Sequence, residues 1–100
     1  MKKLPLDEVE ELLRTVPGWS LADGKLFREF TFAGFSEAFG FMTAMAIAAE
    51  SMDHHPEWFN VHKNVKVWLN SHEVDGISSL DFELASKMNA FFRGMVQSQE

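Results

Sequence analysis

Hydrophobic and polar positions in the first third of the chain predict one helix followed by a pair of strands. Five apolar residues recur at helical spacing with charged residues between them: Leu6, Val9, Leu12, Leu13 and Val16. Pro17 and Gly18 then stop the pattern, so we expect a helix over residues 5–16. Two short runs, 19–22 and 25–32, flank Asp23-Gly24, a dipeptide typical of tight hairpin turns.

The middle of the chain predicts a long helix, 35–52, that lacks a polar face. It carries two apolar stripes: Phe35, Phe39, Met42, Ala46 and Ala49 form the first, and Phe41, Ala44, Met45, Ala48 and Met52 form the second. A helix that is apolar nearly all round is buried on more than one side, whereas the sheet of one small domain covers only one side. We therefore expect an outer stripe, which includes Met45 and Ala48, to lie between the subunits of an oligomer.

A second pair of strands follows this helix. Val65, Val67 and Leu69 alternate with polar or bulky neighbours, the period-2 pattern of a strand with one buried face. The predicted strands are 58–62 and 65–71. Lys63-Asn64 provides the tight turn between them.

The last predicted element is a helix capped by Ser78. Asp81 follows three residues later, at the spacing of a capping box. The inner face of this helix is apolar: Leu80, Leu84, Met88 and Phe91. The resulting order, α-β-β-α-β-β-α, predicts a single α+β domain over residues 1–100, in which three helices pack on one face of a four-stranded antiparallel sheet.

Composition and charge exclude several classes of function. The chain of 100 residues has the length of one domain, and it contains no Cys, which excludes disulfides, thiolate zinc sites and a Cys nucleophile. The net charge of −6 disfavours binding to nucleic acid or to anionic membranes, because both need a basic surface. The longest stretch of low charge, 38–49, is shorter than the roughly 20 residues of a membrane span, and no signal-peptide pattern is present, so we expect a cytoplasmic protein.

All four histidines lie within a span of nineteen residues that begins at the end of the long helix: His54, His55, His62 and His72. Pro56 favours an extended conformation for the residue before it, and neighbouring residues of an extended segment point to different sides. The imidazoles of His54 and His55 are therefore expected to have different roles. His72 follows the last predicted strand, where a side chain can reach a ligand above rigid elements.

Three interpretations of the histidines remain open from the residues alone. The first is that they are surface or capping histidines with no chemical role. The second is a zinc site of His55, His62 and His72 with a carboxylate, although the H-E-x-x-H motif is absent. The third is general acid–base catalysis, which suits an imidazole because its ordinary pKa of about 6.5 lies near neutrality. No nucleophile elbow or glycine-rich phosphate loop is present to favour other chemistry.

Several segments together resemble one known family, the pterin-4a-carbinolamine dehydratases. The segments that carry the resemblance are Phe39-Gly40-Phe41-Met42-Thr43, Asp53-His54-His55-Pro56-Glu57-Trp58-Phe59-Asn60-Val61, Ser71-His72-Glu73, Gly76-Ile77-Ser78-Ser79-Leu80-Asp81 and Leu84-Ala85. The resemblance covers nearly the whole chain. Its most specific part is the Asp-His-His-Pro-Glu-Trp run, followed seventeen residues after His55 by another histidine.

This resemblance implies an enzyme that removes water from 4a-hydroxytetrahydropterin (4a-hydroxytetrahydrobiopterin) and yields quinonoid dihydropterin. The reaction recycles the pterin cofactor of aromatic amino acid hydroxylases, such as phenylalanine hydroxylase. It also implies that neither a metal nor an organic cofactor takes part. Members of the family form dimers and tetramers and pack their long helices together, so a homodimer or homotetramer through the helix at 35–52 is expected here.

Site residues follow from the same resemblance. His54 and His72 match the acid and base histidines, in an order that the sequence leaves open, and His55 matches the histidine that holds the substrate. Further positions match substrate contacts or residues that support the site: the contacts are Asp53, Ser71, His72 and Glu73, and the supporting residues are Glu50 and Asp81. No metal ligand is implied.

Two positions depart from the family pattern, and one alternative function remains. His62 stands where many members have Tyr, and Leu80 stands where some members have a basic residue; both departures concern the fine positioning of the site. The alternative is a non-catalytic interaction module or transcriptional coactivator on the same fold, which would use the apolar helix as its partner surface. The complete set of histidines favours the enzyme, because a pure binding module does not need it.

Overall fold

The computed structural model describes residues 1–98, which form three α-helices and four strands; positions 99–100 of the predicted domain lie outside the described residues. The elements are α1 (Leu6–Leu12), β1 (Ser20–Ala22), β2 (Lys25–Thr31), α2 (Phe35–Ser51), β3 (Glu57–Val61), β4 (Asn64–Leu69) and α3 (Ser79–Ser98), with short 3-10 turns at Leu13–Thr15 and His72–Val74. None of the helices described is long and apolar enough to cross a lipid bilayer.

The four strands form one antiparallel sheet in the order β1-β2-β4-β3. Asp23 and Gly24, both with positive φ, make the β1–β2 turn that the Asp-Gly dipeptide predicts. The central pair, β2 and β4, runs from Leu26 opposite Leu69 to Thr31 opposite Asn64. This topology confirms the predicted α+β fold with its four-stranded antiparallel sheet and three helices.

The core lies between the sheet and the helices. Alternate residues of the two central strands are fully buried: Leu26, Phe30, Val65, Val67 and Leu69. The ring of Phe30 lies 4.8 Å from that of Phe41 in α2 and 5.1 Å from that of Phe92 in α3, so it links both helices to the sheet. Phe92 occupies the inner position that the sequence assigned to Phe91, since residues three and four positions after Met88 share one helix face.

The turn between β3 and β4 lies one residue earlier than predicted. His62 and Lys63 form the turn, and Asn64 already belongs to β4. His62 has a φ of 53°, in the left-handed region, and the side-chain amide of Asn60 donates to the carbonyl oxygens of His62 and Asn64 at 3.1 and 3.0 Å. These bonds stabilise a two-residue hairpin turn. β3 therefore ends at Val61 and β4 begins at Asn64.

The two faces of α2 differ from the predicted assignment. Met45, expected on the outer stripe, is only 5% exposed and packs in the core with Phe41. The helical period of about 3.6 residues places both side chains on the face toward the sheet. The outward face is nevertheless apolar, because Phe35, Phe39 and Ile47 are each more than half exposed.

A buried polar cluster ties α3 to the start of the sheet. The side-chain oxygen of Asn89 accepts hydrogen bonds from Trp19 Nε1 at 2.8 Å and from the Arg28 guanidinium at 2.6 Å, and its amide donates to the carbonyl of Pro17 at 3.0 Å. Burial, and to a smaller extent the nearby charge of Arg93, lowers the pKa of Arg28. One side chain therefore joins the Trp19 indole, the Arg28 guanidinium and the Pro17 carbonyl, which also accepts a hydrogen bond from Arg28 at 3.1 Å.

Candidate active site

A cleft of about 260 Å³ opens where the end of α2 meets the end of β4. Two short segments form most of its wall, one that follows α2 and one that follows β4. The residues that line it are Met1, Asp53, His54, His55, Pro56, Glu57, Asn70, Ser71, His72 and Glu73. The volume lies just below the usual range for ligand pockets, roughly 300–1,000 Å³, which suits a compact ring system better than a large cofactor.

The C-terminal end of α2 determines the positions of His54 and His55. The backbone N–H of Asp53 donates to the carbonyl of Glu50 at 3.0 Å, and that of His54 donates to Ala49 at 3.0 Å, the double closure of a Schellman motif. Asp53 has a φ of 51° at the position where glycine is the usual residue. The reversal turns the chain back over the helix end and brings His54 into the wall of the cleft.

His54 rests on a buried carboxylate. Its Nε2 atom lies 2.6 Å from Oδ1 of Asp81, in the first turn of α3. His54 is 7% exposed and Asp81 is fully buried. A contact of this kind orients an imidazole and assigns which of its nitrogens carries a proton.

His55 points in a different direction from His54. Its Nε2 lies 2.8 Å from Oε1 of Glu50, and both side chains are largely exposed. The pair is therefore accessible to a ligand at the mouth of the cleft. Since exposed pairs of this kind contribute little to folding, the contact positions the imidazole more than it stabilises the chain.

The end of β4 forms the opposite wall. Ser71 is buried and pairs with Gly76 through two backbone hydrogen bonds, at 2.6 and 3.3 Å, which close a short loop. His72 and Glu73 lie in this loop, in the 3-10 turn, and are exposed. The loop thus places a second imidazole, on a different element from His54, at the edge of the same cleft.

The structure brings most of the expected site residues together. Six of them line the cleft: Asp53, His54, His55, Ser71, His72 and Glu73. Glu50 at the mouth of the cleft and the buried Asp81 behind it each lie within hydrogen-bonding distance of a cleft histidine. His62 does not line the cleft, because it lies in the hairpin turn at the far end of β3.

The structure does not assemble the zinc set of His55, His62 and His72. His62 lies five residues after Glu57, the residue of β3 that lines the cleft, which is a distance of about 16 Å at the rise of a strand. Within residues 1–98, no group of three or more His, Cys, Asp or Glu side chains is placed to hold a metal ion. Two of the cleft histidines are instead each paired with one carboxylate, His54 with Asp81 and His55 with Glu50.

Two further cleft residues, Met1 and Asn70, have no role in the sequence interpretation. Asn70 directly follows β4. In the sequence, only its position next to Ser71 indicates that it lies at the cleft. Met1 reaches the cleft because the N–H of Leu4 donates to the carbonyl of Ile77 at 2.8 Å. That long-range contact leaves no pattern in the sequence.

Comparison with known proteins identifies the family. The family model described as pterin 4 alpha carbinolamine dehydratase matches residues 2–91. A relative from Solibacter usitatus is 47% identical over 92 residues, which is 92% of this chain and 97% of the relative. One from Mesorhizobium japonicum is 52% identical over 95 residues, 93% of this chain and 97% of the relative. Both relatives carry the provisional name pterin-4-alpha-carbinolamine dehydratase.

A solved structure gives the same result at the level of the fold. The crystal structure described as a transcriptional coactivator/pterin dehydratase from Brucella melitensis superimposes with a TM-score of 0.86 and is 46% identical. The match covers 89% of this chain and 97% of the other. Sequence and fold therefore agree over nearly the full length, and the chain belongs to the pterin-4a-carbinolamine dehydratases, a family of hydro-lyases.

Proposed function

We propose that this protein dehydrates 4a-hydroxytetrahydropterin to quinonoid dihydropterin and water by histidine general acid–base catalysis. In this elimination the C4a–O bond breaks, and the departing hydroxide takes a proton from an acid. The N5–H proton passes to a base, and the N5 electron pair forms the double bond to C4a. The observation that carries the proposal is the approach of His54 and His72 to one cleft from two different elements.

The two histidines supply the groups that this chemistry needs. One imidazole donates the proton to the leaving hydroxyl, and the other accepts the proton from N5. General acid–base assistance is typically worth about 10²–10⁴-fold in rate. No metal or covalent intermediate enters this route, because each step moves only a proton and an electron pair within the pterin.

The remaining cleft residues hold the ring. His55, paired with Glu50, binds the substrate at the mouth of the cleft, and Asp53 and Glu73 offer carboxylates to the donor groups of a pterin. The hydroxyl of Ser71 is engaged with Asp81 at 2.9 Å, so Ser71 contributes as a wall of the cleft. Asp81 supports His54 from behind.

The exposed face of α2 is the proposed contact between copies of this chain. Phe35 and Phe39 lie 5.8 Å apart at their ring centroids, and Ile47 continues the same face. Exposed apolar patches of this kind mark interaction surfaces. A second copy is the favoured occupant because the family is expected to pack its long helices together, which gives a homodimer or homotetramer.

A second candidate function uses the same face. The Brucella melitensis neighbour is described as a coactivator as well as a dehydratase, so the face of Phe35, Phe39 and Ile47 could instead receive a different protein. In that case the histidine cleft would be dispensable. The three histidines and three carboxylates that line the cleft favour the enzyme.

The biological setting proposed is recycling of the pterin cofactor for an aromatic amino acid hydroxylase in the cytoplasm. One domain suffices for this role, since the buried apolar residues of the described chain form one cluster. The direct test follows the ultraviolet absorbance of chemically generated 4a-hydroxytetrahydropterin with and without the protein. Acceleration over the spontaneous reaction supports the proposal, and an unchanged rate contradicts it.

A further inference from the structure

A chain of buried hydrogen bonds lies behind His54 and connects the start of α3 to the cleft. Its members Ser71, Ser78 and Asp81 are each at most 1% exposed. The Ser71 hydroxyl oxygen lies 2.7 Å from that of Ser78 and 2.9 Å from Oδ2 of Asp81. The backbone N–H of Ser78 also donates to Oδ2, at 2.9 Å, and that of Leu80 donates to the Ser78 hydroxyl oxygen at 3.3 Å.

The number of available protons sets the direction of this chain. A serine hydroxyl has one proton to donate, and Ser71 gives its proton to Asp81. The proton between the two serines must therefore come from Ser78. Asp81 thus accepts from the Ser71 hydroxyl and the Ser78 N–H on one oxygen, and it faces His54 with the other. Every donor in the chain points toward the carboxylate.

This direction determines the state of the imidazole. An ionised carboxylate only accepts hydrogen bonds, so Nε2 of His54 must carry a proton, and a neutral imidazole then has none on Nδ1. Nδ1 has no hydrogen-bond partner among residues 1–98. Every buried side-chain nitrogen of these residues has a partner, so Nδ1 is not buried. Since His54 lines the cleft, Nδ1 is the nitrogen that is open to it.

We propose that Ser71 and Ser78 are positioning residues that act through Asp81 to hold His54 as the Nε2–H tautomer, with Nδ1 as its reacting nitrogen. The naming of the reacting nitrogen rests on the proposed function, whereas the tautomer does not. In the resting enzyme His54 accepts a proton at Nδ1 and is the base, and His72 is left as the acid. Without the serine hydroxyls only the Ser78 N–H holds Oδ2, and the carboxylate can then rotate away from Nε2 of His54.

The tautomer is measured by long-range ¹H–¹⁵N correlation spectra of the imidazoles, recorded near pH 8.5, where histidines are ordinarily neutral. We expect His54 of the parent to show a proton on Nε2 only. The double variant Ser71→Ala/Ser78→Ala is expected to show both tautomers, and Ser71→Thr/Ser78→Thr to restore one. Exposed Ser79→Ala is the matched control and leaves the spectrum unchanged. The proposal is overturned if His54 of the unmodified protein carries its proton on Nδ1. It is also overturned if the double alanine variant gives the same spectrum as the unmodified protein.

Kinetics supply the second readout, through Ser78, which does not line the cleft. Ser78→Ala is expected to lower kcat about tenfold with KM unchanged, the factor that corresponds to about 1.4 kcal/mol. Ser78→Thr should recover kcat, and thermal unfolding checks that each variant is folded. Full kcat in folded Ser78→Ala contradicts the proposal. A parent with the Nε2–H tautomer but no dehydratase activity contradicts only the proposed function, because the spectra do not depend on turnover.

Discussion

Nε2 of His54 lies 2.6 Å from Oδ1 of Asp81, and this contact joins the end of α2 to the first turn of α3. The other oxygen of Asp81 accepts the backbone N–H of Ser78, the residue directly before α3. The same carboxylate therefore closes a capping box and orients a cleft histidine. A change at Asp81 must affect the stability of the fold and the chemistry of the cleft together.

Replacement of Asp81 by Ala is expected to lower the free energy of unfolding by about 3 kcal/mol, because it removes a charged acceptor and leaves buried donors without a partner. Chemical denaturation measures this loss. Asp81→Asn keeps the size of the side chain and separates the two roles, since it should lower kcat more than it lowers stability. Parental kcat in Asp81→Asn would contradict the role assigned to this contact.

Asp53 occupies a strained position beside the cleft, with a φ of 51° at the C-terminal end of α2. Asp53→Gly is expected to raise the free energy of unfolding by up to about 1 kcal/mol, because glycine adopts this conformation at no steric cost. The same variant should raise KM, since it removes a carboxylate from the cleft. Asp53→Asn is the control that keeps the shape. A parental KM in both variants would show that the carboxylate has no part in binding.

Asn89 is expected to be the most sensitive polar residue outside the cleft. Asn89→Ala leaves Trp19 Nε1 without its partner and removes one of the two acceptors of the Arg28 guanidinium, so it should cost about 2–3 kcal/mol of unfolding free energy. Urea denaturation followed by tryptophan fluorescence measures the change. The exposed residue Ser86, on the same helix, provides the control Ser86→Ala, whose stability should match the parent. Dehydratase activity should persist in both proteins at low temperature.

The sheet was predictable because its signals are local. The alternation of Val65, Val67 and Leu69 identifies a buried face, and the Asp23-Gly24 turn fixes the first hairpin. The outer face of α2 was assigned to the wrong residues, because both sides of that helix are apolar and only the position of the sheet decides which side is buried. Met45 and Ile47 are equally apolar, yet one lies in the core and the other outside it.

The candidate site was predictable in its members but not in its arrangement. The adjacency of His54 and His55 indicates different directions, yet it does not say which imidazole turns inward. Asp81 has the spacing of a helix cap in the sequence, and its contact with His54 depends on the packing of α3 against α2. Asn70 and Met1 reach the cleft through tertiary contacts that no local pattern records.

The apolar outward face of α2 predicts which substitution would break the proposed oligomer. Ile47→Glu is expected to give a folded protein of lower mass, because Ile47 is 69% exposed in one chain and a charge there would be buried between copies. Light scattering measures the mass, and circular dichroism the fold. Met45→Glu is the contrasting variant and should unfold the chain, since Met45 lies in the core. A monomeric parent at micromolar concentration would contradict the proposed oligomer.

The last prediction separates the roles of the cleft histidines. His54→Ala and His72→Ala should each lower kcat, by about 10²-fold or less, because water or the other imidazole can still supply the missing proton. His55→Ala should mainly raise KM, since its proposed role is to hold the ring. The control is His62→Ala, in the distant hairpin turn, which should keep the parental rate.

The double variant His54→Ala/His72→Ala should approach the spontaneous rate of dehydration, which no substitution can lower. If that double variant remains folded and still accelerates the reaction as the parent does, the two histidines do not carry the proton transfers, and the chemistry of the cleft must lie with its carboxylates.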